Sequence, residues 1–243
     1  MSQPPRLDHA AELMDVGPYH PGEIVSNLAD LRLFNLRFGG IKLMRREVAR
    51  MLEQAGWPRR VSLLDVATGS ADIPAALVRW AAGRGVELHA QALDIKDDIL
   101  SEARRYLGNA APRLSLLRGE ATRLPCRDGS VDLVICSNFL HHLDEDEMLQ
   151  ALSEMRRVAR RGVIAVDLRR GRLSWTLVWI LTRLTPNRLT RHDGPLSVRR
   201  AYSRGELRAM AARAGMHGAV VRPAGPARMA LAWQAAAPGE TRV

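Results

Sequence analysis

Short apolar runs alternate with segments of helical spacing through most of the sequence, and this alternation constrains the fold more than any other feature. Five apolar runs are bounded by turn-forming or acidic residues, at 61–66, 87–93, 114–117, 131–136 and 163–168. The helical segments between them begin with acids, as at Asp97, or stop at glycine, as at Gly83 and Gly108. Repeated strand–helix–strand units of this kind build parallel sheets. The sequence therefore predicts an α/β fold with a mostly parallel sheet.

The alternation breaks after the fifth run. An apolar helix is predicted at 175–184, followed by a polar stretch with Gly and Pro at 185–198. A further helix at 204–214 precedes two strands at 219–222 and 228–233. The short turn between these two strands permits only an antiparallel pair. We therefore predict seven strands, mostly parallel with an antiparallel C-terminal pair, and helices on both faces.

We predict a single domain over residues 1–243 that has four parts. The first is an N-terminal helical cap, with one or two amphipathic helices between residues 24 and 54. The other parts are a ligand-binding core, an insertion that forms a lid or a substrate site, and a final helix with the antiparallel strands. Their bounds are 1–56, 57–168, 169–203 and 204–235.

The formal net charge of +10 raises nucleic acid as a partner. Most of the excess comes from arginine pairs scattered along the chain, such as Arg45 with Arg46 and Arg199 with Arg200. Aromatic and basic residues do not combine into a stacking surface for bases. We therefore expect an arginine-rich surface and no nucleic-acid partner.

The two cysteines, Cys126 and Cys136, lack the paired spacing of a zinc site, and we predict buried, reduced thiols and no metal centre. Residues 1–15 contain prolines and acids where a signal peptide has an apolar segment, which predicts a cytoplasmic protein. The apolar stretch at 175–184 is about half the roughly 20 residues that a membrane span needs, so no span is predicted. A monomer and a homodimer both remain open.

In an open α/β sheet, ligands bind beyond the carboxyl ends of the strands, where the strand order reverses. The first strand leads there into small and acidic residues: Asp65, Ala67, Thr68, Gly69, Ala71 and Asp72. Small residues let the backbone approach a ligand closely. The second strand ends at Asp94, whose carboxylate can accept both hydroxyls of a ribose, although an exposed acid or a helix cap explains it equally well.

The third and fourth strands also lead into polar residues. Glu120 and Ala121 follow the third strand, where they could hold the edge of an adenine. The fourth strand is followed by the stretch from Ser137 to His142, which faces the opening between strands one and four. The order and spacing of these strand ends are more informative than any one of them.

Together these features resemble the class I S-adenosylmethionine-dependent methyltransferases, in particular the small-molecule group that includes the ubiquinone- and menaquinone-biosynthesis enzymes. The resemblance covers residues 61–168 and implies a Rossmann-like fold with S-adenosylmethionine as the cofactor. It implies that the turn after strand one lies under the methionine part, that Asp94 binds the ribose, and that Ile95 contacts the adenine. The full predicted cofactor set is Asp65, Ala67, Thr68, Gly69, Asp72, Asp94, Ile95, Glu120, Ala121, Ser137 and Asn138.

The turn departs from the family pattern at two positions. The family's Gly-x-Gly-x-Gly appears here with Ala67, Gly69 and Ala71, and the two extra methyl groups narrow the space for close backbone approach. We expect altered cofactor packing and retained binding. Asp72, in the first turn of the next helix, would repel the pyrophosphate of a dinucleotide but suits a cationic sulfonium. The sequence therefore favours S-adenosylmethionine over NAD.

The predicted reaction is O-methylation of a phenol or another hydroxyl in secondary or quinone-type metabolism. A hydroxyl must lose a proton, and histidine is the natural base, so we consider His141, His142 and His192 as catalytic candidates. One of the first two could serve only to pack the following helix, and His192 could lie in a surface turn. Trp175, Arg200 and Tyr202 are the predicted substrate-binding residues.

Two other functions remain as alternatives, an RNA methyltransferase and a non-catalytic S-adenosylmethionine-binding protein. Enzymes of this fold that methylate exocyclic base nitrogens usually carry an Asn/Asp-Pro-Pro-aromatic motif after strand four, which holds a flipped base. The corresponding residues here are Ser137, Asn138, Phe139 and Leu140. The sequence therefore favours a small-molecule acceptor.

Overall fold

The computed structural model describes residues 4–7, 10–108 and 112–235. Seven strands form one sheet: β1 (Arg60–Val66), β2 (Glu87–Asp94), β3 (Leu114–Arg118), β4 (Val131–Ser137), β5 (Ala159–Leu168), β6 (Val220–Pro223) and β7 (Arg228–Gln234). Their order is β3–β2–β1–β4–β5–β7–β6. Strands β1 to β5 pair in parallel, whereas β7 is antiparallel to both β5 and β6. The predicted sheet, mostly parallel with an antiparallel C-terminal pair, is confirmed.

The strand order reverses between β1 and β4. The chain first builds outward from β1 through β2 to β3, and then returns to place β4 on the other side of β1. The carboxyl ends of β1 and β4 therefore flank a crevice, which is where open α/β sheets bind ligands.

Nine helices of the described residues surround the sheet: α1 (Leu13–Val16), α2 (Pro21–Arg37), α3 (Gly40–Gln54), α4 (Asp72–Ala82), α5 (Asp97–Leu107), α6 (Glu145–Val158), α7 (Arg172–Thr182), α8 (Arg188–Arg200) and α9 (Arg204–Arg213). A short 3-10 turn at Leu140–His142 follows β4. The predicted one or two N-terminal amphipathic helices are the two helices α2 and α3. No helix of the described chain is long and apolar enough to cross a membrane.

Alternate residues of β4 supply the cores on the two faces of the sheet. Leu133 and Ile135 are buried with side chains of α3 and α4. Val134 and Cys136 are buried on the opposite face with side chains of α6 and α9. Burial raises the pKa of the Cys136 thiol well above its usual value, so this cysteine is an inert, protonated core residue. Both sheet faces are thus covered by helices, as a parallel sheet requires.

Strand β5 begins earlier than its apolar run predicts, at Ala159 instead of residue 163, and α6 accordingly ends at Val158. The added segment, residues 159–162, includes two arginines. Arg160 Nη1 and Arg161 Nε each donate to Asp132 Oδ1 on β4 over 3.0 Å. Ion pairing across the strands therefore holds these arginines in extended structure, which a hydrophobic pattern cannot indicate.

The polar stretch after the apolar helix also differs from its prediction, because most of it forms α8. The Asn187 side chain accepts the N–H of Thr190 and caps the helix. Pro195 lies inside the helix and leaves the carbonyl of Arg191 without its helical donor. Arg183 Nη1 donates to that carbonyl over 2.9 Å instead. His192 therefore lies within a helix, and the surface-turn interpretation is wrong.

Candidate active site

The turn after β1 has three residues in the left-handed region of backbone space. Ala67, Gly69 and Ala71 have φ angles of 55°, 57° and 56°. Glycine adopts this conformation freely, whereas an L-residue with a Cβ pays roughly 1 to 2 kcal/mol for it. The three glycines of the family pattern thus correspond to the three positions with positive φ. In this chain the backbone is strained at Ala67 and Ala71.

This strain makes a prediction about stability. Replacing Ala67 with glycine should stabilise the protein by about 1 kcal/mol and raise Tm by roughly 2 to 4 °C. The matched control is Ala209→Gly in the exposed middle of α9, where the same change should destabilise by about 0.5 to 1 kcal/mol. Thermal unfolding followed by circular dichroism measures both variants. Equal destabilisation by the two substitutions would contradict the assigned strain at Ala67.

Three carboxylates are buried around this turn. Asp65 accepts the hydroxyl of Thr68 at 2.6 Å, and Asp94 Oδ2 accepts the backbone N–H of Gly69 at 3.0 Å. Asp72 Oδ2 accepts from Asn35 Nδ2 at 3.2 Å. The Gly69 contact ties the end of β2 to the turn that follows β1.

Burial dominates the titration of these three groups. It raises the pKa of Asp65 to about 8, where the Thr68 hydrogen bond opposes the shift and the charges of Asp72 and Asp94 add to it. Burial also raises the pKa values of Asp72 and Asp94, despite the hydrogen bonds that each accepts. Because a nearby cation favours the ionised form of a carboxylate, this cluster suits a positively charged ligand.

The remaining predicted cofactor residues lie along the same edge of the sheet. Ile95 follows β2 with an exposed side chain, and Glu120 after β3 is exposed, with its carboxylate accepting from the Thr122 hydroxyl. Asn138 follows β4 in a left-handed conformation, and its side-chain oxygen is buried without a hydrogen-bond partner in the described structure. An orphaned buried acceptor beside the crevice is a site for a ligand donor.

A cavity of about 520 Å³ lies next to this edge. Its wall is mostly apolar and includes Phe34 of α2, Phe38 directly after that helix, and Leu177, Ile180 and Leu181 of α7. Asn138 lines the cavity, and so does Asn35, which also contacts Asp72 at the start of α4 and so connects the cavity wall to the helix that follows the turn after β1. The polar groups in the wall include Glu12, His141, His142, Thr190, Asp193 and Arg228.

We call Glu12, His141 and His142 the histidine centre, because their side chains converge at the cavity wall. His141 Nδ1 lies 2.6 Å from Asp167 Oδ1, and its Nε2 lies 3.6 Å from Glu12 Oε1. His142 Nδ1 lies 2.7 Å from Asp15 Oδ2, and its Nε2 lies 3.8 Å from Glu12 Oε2. All three members are buried or nearly so.

Acidic side chains lie next to both imidazoles of the histidine centre. Burial alone would lower the pKa of His142, but Glu12 and the bonded Asp15 outweigh it and raise the pKa to about 9. Centroids of the two imidazole rings lie 4.4 Å apart. Acidic side chains thus stabilise positive charge at this point of the cavity wall.

Glu12 reaches the centre on an N-terminal segment that crosses α8. Asp193 on α8 accepts the backbone N–H groups of Leu13 at 2.8 Å and Met14 at 3.0 Å. Ser197 of the same helix donates its hydroxyl to Glu12 Oε1 at 2.8 Å. The N-terminal segment is therefore fixed by buried polar contacts, and Glu12 with it.

Arg200 and Tyr202, both predicted to bind substrate, lie outside the cavity lining. Arg200 Nε donates to the carbonyl of His141 at 3.0 Å and Nη2 to that of His142 at 2.6 Å. The Tyr202 hydroxyl donates to the carbonyl of Leu143 at 3.0 Å. These two buried side chains hold the backbone of residues 141–143 and act as positioning residues.

Trp175 and His192 are also not among the residues that line the cavity. Trp175 stacks on Trp179 with ring centroids 6.3 Å apart, while other side chains of α7 face the cavity. His192 is half exposed, with its Nδ1 2.7 Å from Asp193 Oδ1. Of the three candidate bases, the structure brings only His141 and His142 to the cavity.

Residues 63–162 match the family model described as a methyltransferase domain. This match identifies a methyltransferase domain within the chain. No curated protein sequence matches the chain significantly. Solved structures with the same fold are methyltransferases as well. Their sequence identities to this chain are low, so they show the shared fold alone.

Three solved methyltransferases illustrate the shared fold. A SAM-dependent methyltransferase from Aquifex aeolicus is 18% identical with a TM-score of 0.59, over 89% of this chain and 99% of its own. Magnesium protoporphyrin IX methyltransferase from Synechocystis PCC 6803, solved with bound SAH, is 17% identical with a TM-score of 0.57, over 83% and 86%. Human N-acetylserotonin methyltransferase, solved with SAM, is 13% identical with a TM-score of 0.65, over 88% and 56%.

The methyltransferase domain fits its cofactor by the chemistry of its donor set. S-adenosylmethionine carries a sulfonium cation, and a cation favours ionisation of the buried carboxyl groups of Asp65, Asp72 and Asp94, whose pKa values burial raises. S-adenosylmethionine supplies an electrophilic methyl group when bound. The prediction of this cofactor is confirmed at the level of the family, while the individual contacts remain predictions.

Proposed function

We propose that the methyltransferase transfers a methyl group to a hydroxyl of a largely apolar small molecule such as a phenol. The observation that carries the proposal is the apolar cavity that has the histidine centre in its wall and that Asn35 links to Asp72, next to the turn after β1. Methyl transfer is an in-line displacement, so placing the acceptor oxygen beside the cofactor supplies most of the catalysis.

The shape and chemistry of the cavity support an apolar acceptor. Aromatic and aliphatic side chains of α2 and α7 face a volume typical of sites for small organic molecules. Asn27 and Thr190 form a hydrogen-bonded pair in the wall, at 2.9 Å between Nδ2 and Oγ1. The polar groups of the histidine centre lie near the carboxyl end of β4, where they can orient the acceptor.

The histidine centre supports transfer to oxygen in particular, because a hydroxyl must lose its proton. An imidazole whose Nδ1 is held by a carboxylate directs its Nε2 outward, where it can accept a proton or bind a metal ion. His141 is held in this way by Asp167. His142 is held by Asp15, but its pKa of about 9 keeps it protonated near neutral pH unless a metal ion displaces the proton. The centre thereby has the groups needed to activate a hydroxyl.

An RNA acceptor is disfavoured by how the arginines are used. Arg157 pairs with Glu154 and Asp128, at 2.6 Å in each case, and the neighbouring Arg160 and Arg161 both pair with Asp132. Much of the positive charge in this region is therefore neutralised within the protein. Phosphate binding depends on basic groups that remain available.

The experiment uses the full chain with S-adenosylmethionine and a matched set of acceptors. An apolar phenol, its methyl ether and the corresponding aniline differ only in the reacting group, and bulk RNA tests the alternative. We expect S-adenosylhomocysteine release and a methylated product, identified by mass spectrometry, from the phenol alone. Methylation of the aniline or of RNA in preference to every phenol tested would overturn the proposal.

A further inference from the structure

We propose that the histidine centre binds a divalent transition-metal ion through Glu12 and the Nε2 atoms of His141 and His142. One ligand atom from each residue can be chosen so that all lie within 4.8 Å of one another. Two imidazoles and one carboxylate are the donor set of many zinc and non-haem iron sites. This centre is not indicated by any spacing in the sequence, because Glu12 lies far from both histidines along the chain.

The distances within the centre suit ligands of one ion better than hydrogen-bonded partners. Glu12 oxygens lie 3.6 Å from Nε2 of His141 and 3.8 Å from Nε2 of His142, beyond the range of a normal hydrogen bond. Ligands bound at about 2.0 to 2.2 Å from one ion are separated from each other by roughly 3 to 4 Å. An ion between the three groups therefore requires little movement.

Each histidine also has the outer partner that metal-bound histidines usually have. A ligating imidazole commonly donates its other ring N–H to a carboxylate, which fixes the ring and raises its basicity. Asp167 holds Nδ1 of His141, and Asp15 holds Nδ1 of His142. The backbone N–H of His141 donates to the second oxygen of Asp167 at 3.1 Å, so this carboxylate is itself fixed.

The charge and the position of the centre also favour a bound cation. Three carboxylates, Glu12, Asp15 and Asp167, surround two imidazoles. The three proposed ligands all line the cavity, so further coordination positions face the space for the acceptor. A catalytic zinc site likewise has three protein ligands and one open position.

The role of the ion rests on the proposed function, although its binding does not. A hydroxyl that coordinates the ion through oxygen loses its proton to solvent at a lower pH, because the positive charge stabilises the oxyanion. With the ion bound, the two Nε2 atoms are ligands, and neither is available as the proton acceptor. The ion would thus activate the acceptor oxygen in the wall of the cavity.

Binding is tested on chelator-treated full-length protein with Zn²⁺ by isothermal titration calorimetry, and with Co²⁺ by visible absorption. We expect one tight site, and at least about 100-fold weaker binding in Glu12→Gln and His142→Gln. Asp15→Asn, which changes only an outer partner, should weaken binding about 10- to 100-fold. His89→Gln on the exposed side of β2 is the matched histidine control and should bind as the unchanged protein does.

Circular dichroism establishes that each variant is folded, and two results overturn the inference. One is the absence of a tight site in the unchanged protein, and the other is unaltered Zn²⁺ affinity in Glu12→Gln and His142→Gln. Activity separates the two proposals. Tight Zn²⁺ binding without methylation of any phenol would contradict the proposed function alone, whereas full activity after metal removal would overturn the proposed role of the ion alone.

Discussion

Replacing Asp94 with asparagine should raise the Kd of S-adenosylmethionine by about 100-fold or more, with the fold retained. The carboxylate is predicted to accept both ribose hydroxyls, and hydrogen bonds to a charged group contribute about 1.5 to 3 kcal/mol each. It also accepts the N–H groups of Gly69 and Lys96. An asparagine amide cannot accept at all these places, because half of its polar atoms are donors. Isothermal titration calorimetry measures the loss.

Asp97→Asn is the matched control for this prediction. Asp97 begins α5 only a few residues away, but its side chain is exposed and its ion pair with Arg118 spans 3.4 Å. We expect an unchanged Kd, since exposed ion pairs contribute little. If both variants bind S-adenosylmethionine as tightly as the unchanged protein, the assignment of the ribose site to Asp94 is wrong.

Replacing His141 with glutamine should lower kcat by about 10² to 10⁴ while the Kd of S-adenosylmethionine stays unchanged. This range is typical for loss of a group that moves a proton in the transition state, and loss of a metal ligand acts on the same step. His141 lines the cavity but is not among the predicted cofactor contacts. Glutamine retains a side-chain donor for Asp167, which limits the cost of leaving that buried carboxylate unpaired.

His192→Gln tests the third histidine candidate by the same assay. Its ring is half exposed and lies outside the cavity lining, so we expect little change in kcat. A loss of kcat as large as that of His141→Gln would indicate that His192 takes part in the reaction. It would also contradict the use of cavity lining to exclude this residue. Unchanged kcat in His141→Gln would exclude the histidine centre as the site of hydroxyl activation.

The sheet could be predicted from the sequence because its signals are local. Buried parallel strands are short apolar runs, and the polar residues that follow them all reach the same edge. The sequence therefore predicts Asp65 and Asp94 at that edge, and in the structure their strands are paired. The left-handed turn was indicated less directly, because two of its three positions carry alanine instead of glycine.

The cavity and its polar groups could not be predicted in the same way. Glu12 reaches the histidine centre through contacts between the N-terminal segment and α8, which have no periodicity in the sequence. Arg200 and Tyr202 are residue types that often bind substrates, but the direction of a side chain depends on its packing partners. Here both side chains donate to backbone carbonyls, Arg200 to that of His141 and Tyr202 to that of Leu143.

The cavity has a consequence for how the enzyme could be redesigned. Most of its wall comes from α2, α7, α8 and the loop before β7, outside the residues 63–162 that match the methyltransferase domain. The proposed recognition of the acceptor thus depends largely on other stretches of the chain than the predicted binding of the cofactor. Exchange of these outer segments, in evolution or by design, could therefore change the acceptor while the cofactor-binding core stays the same.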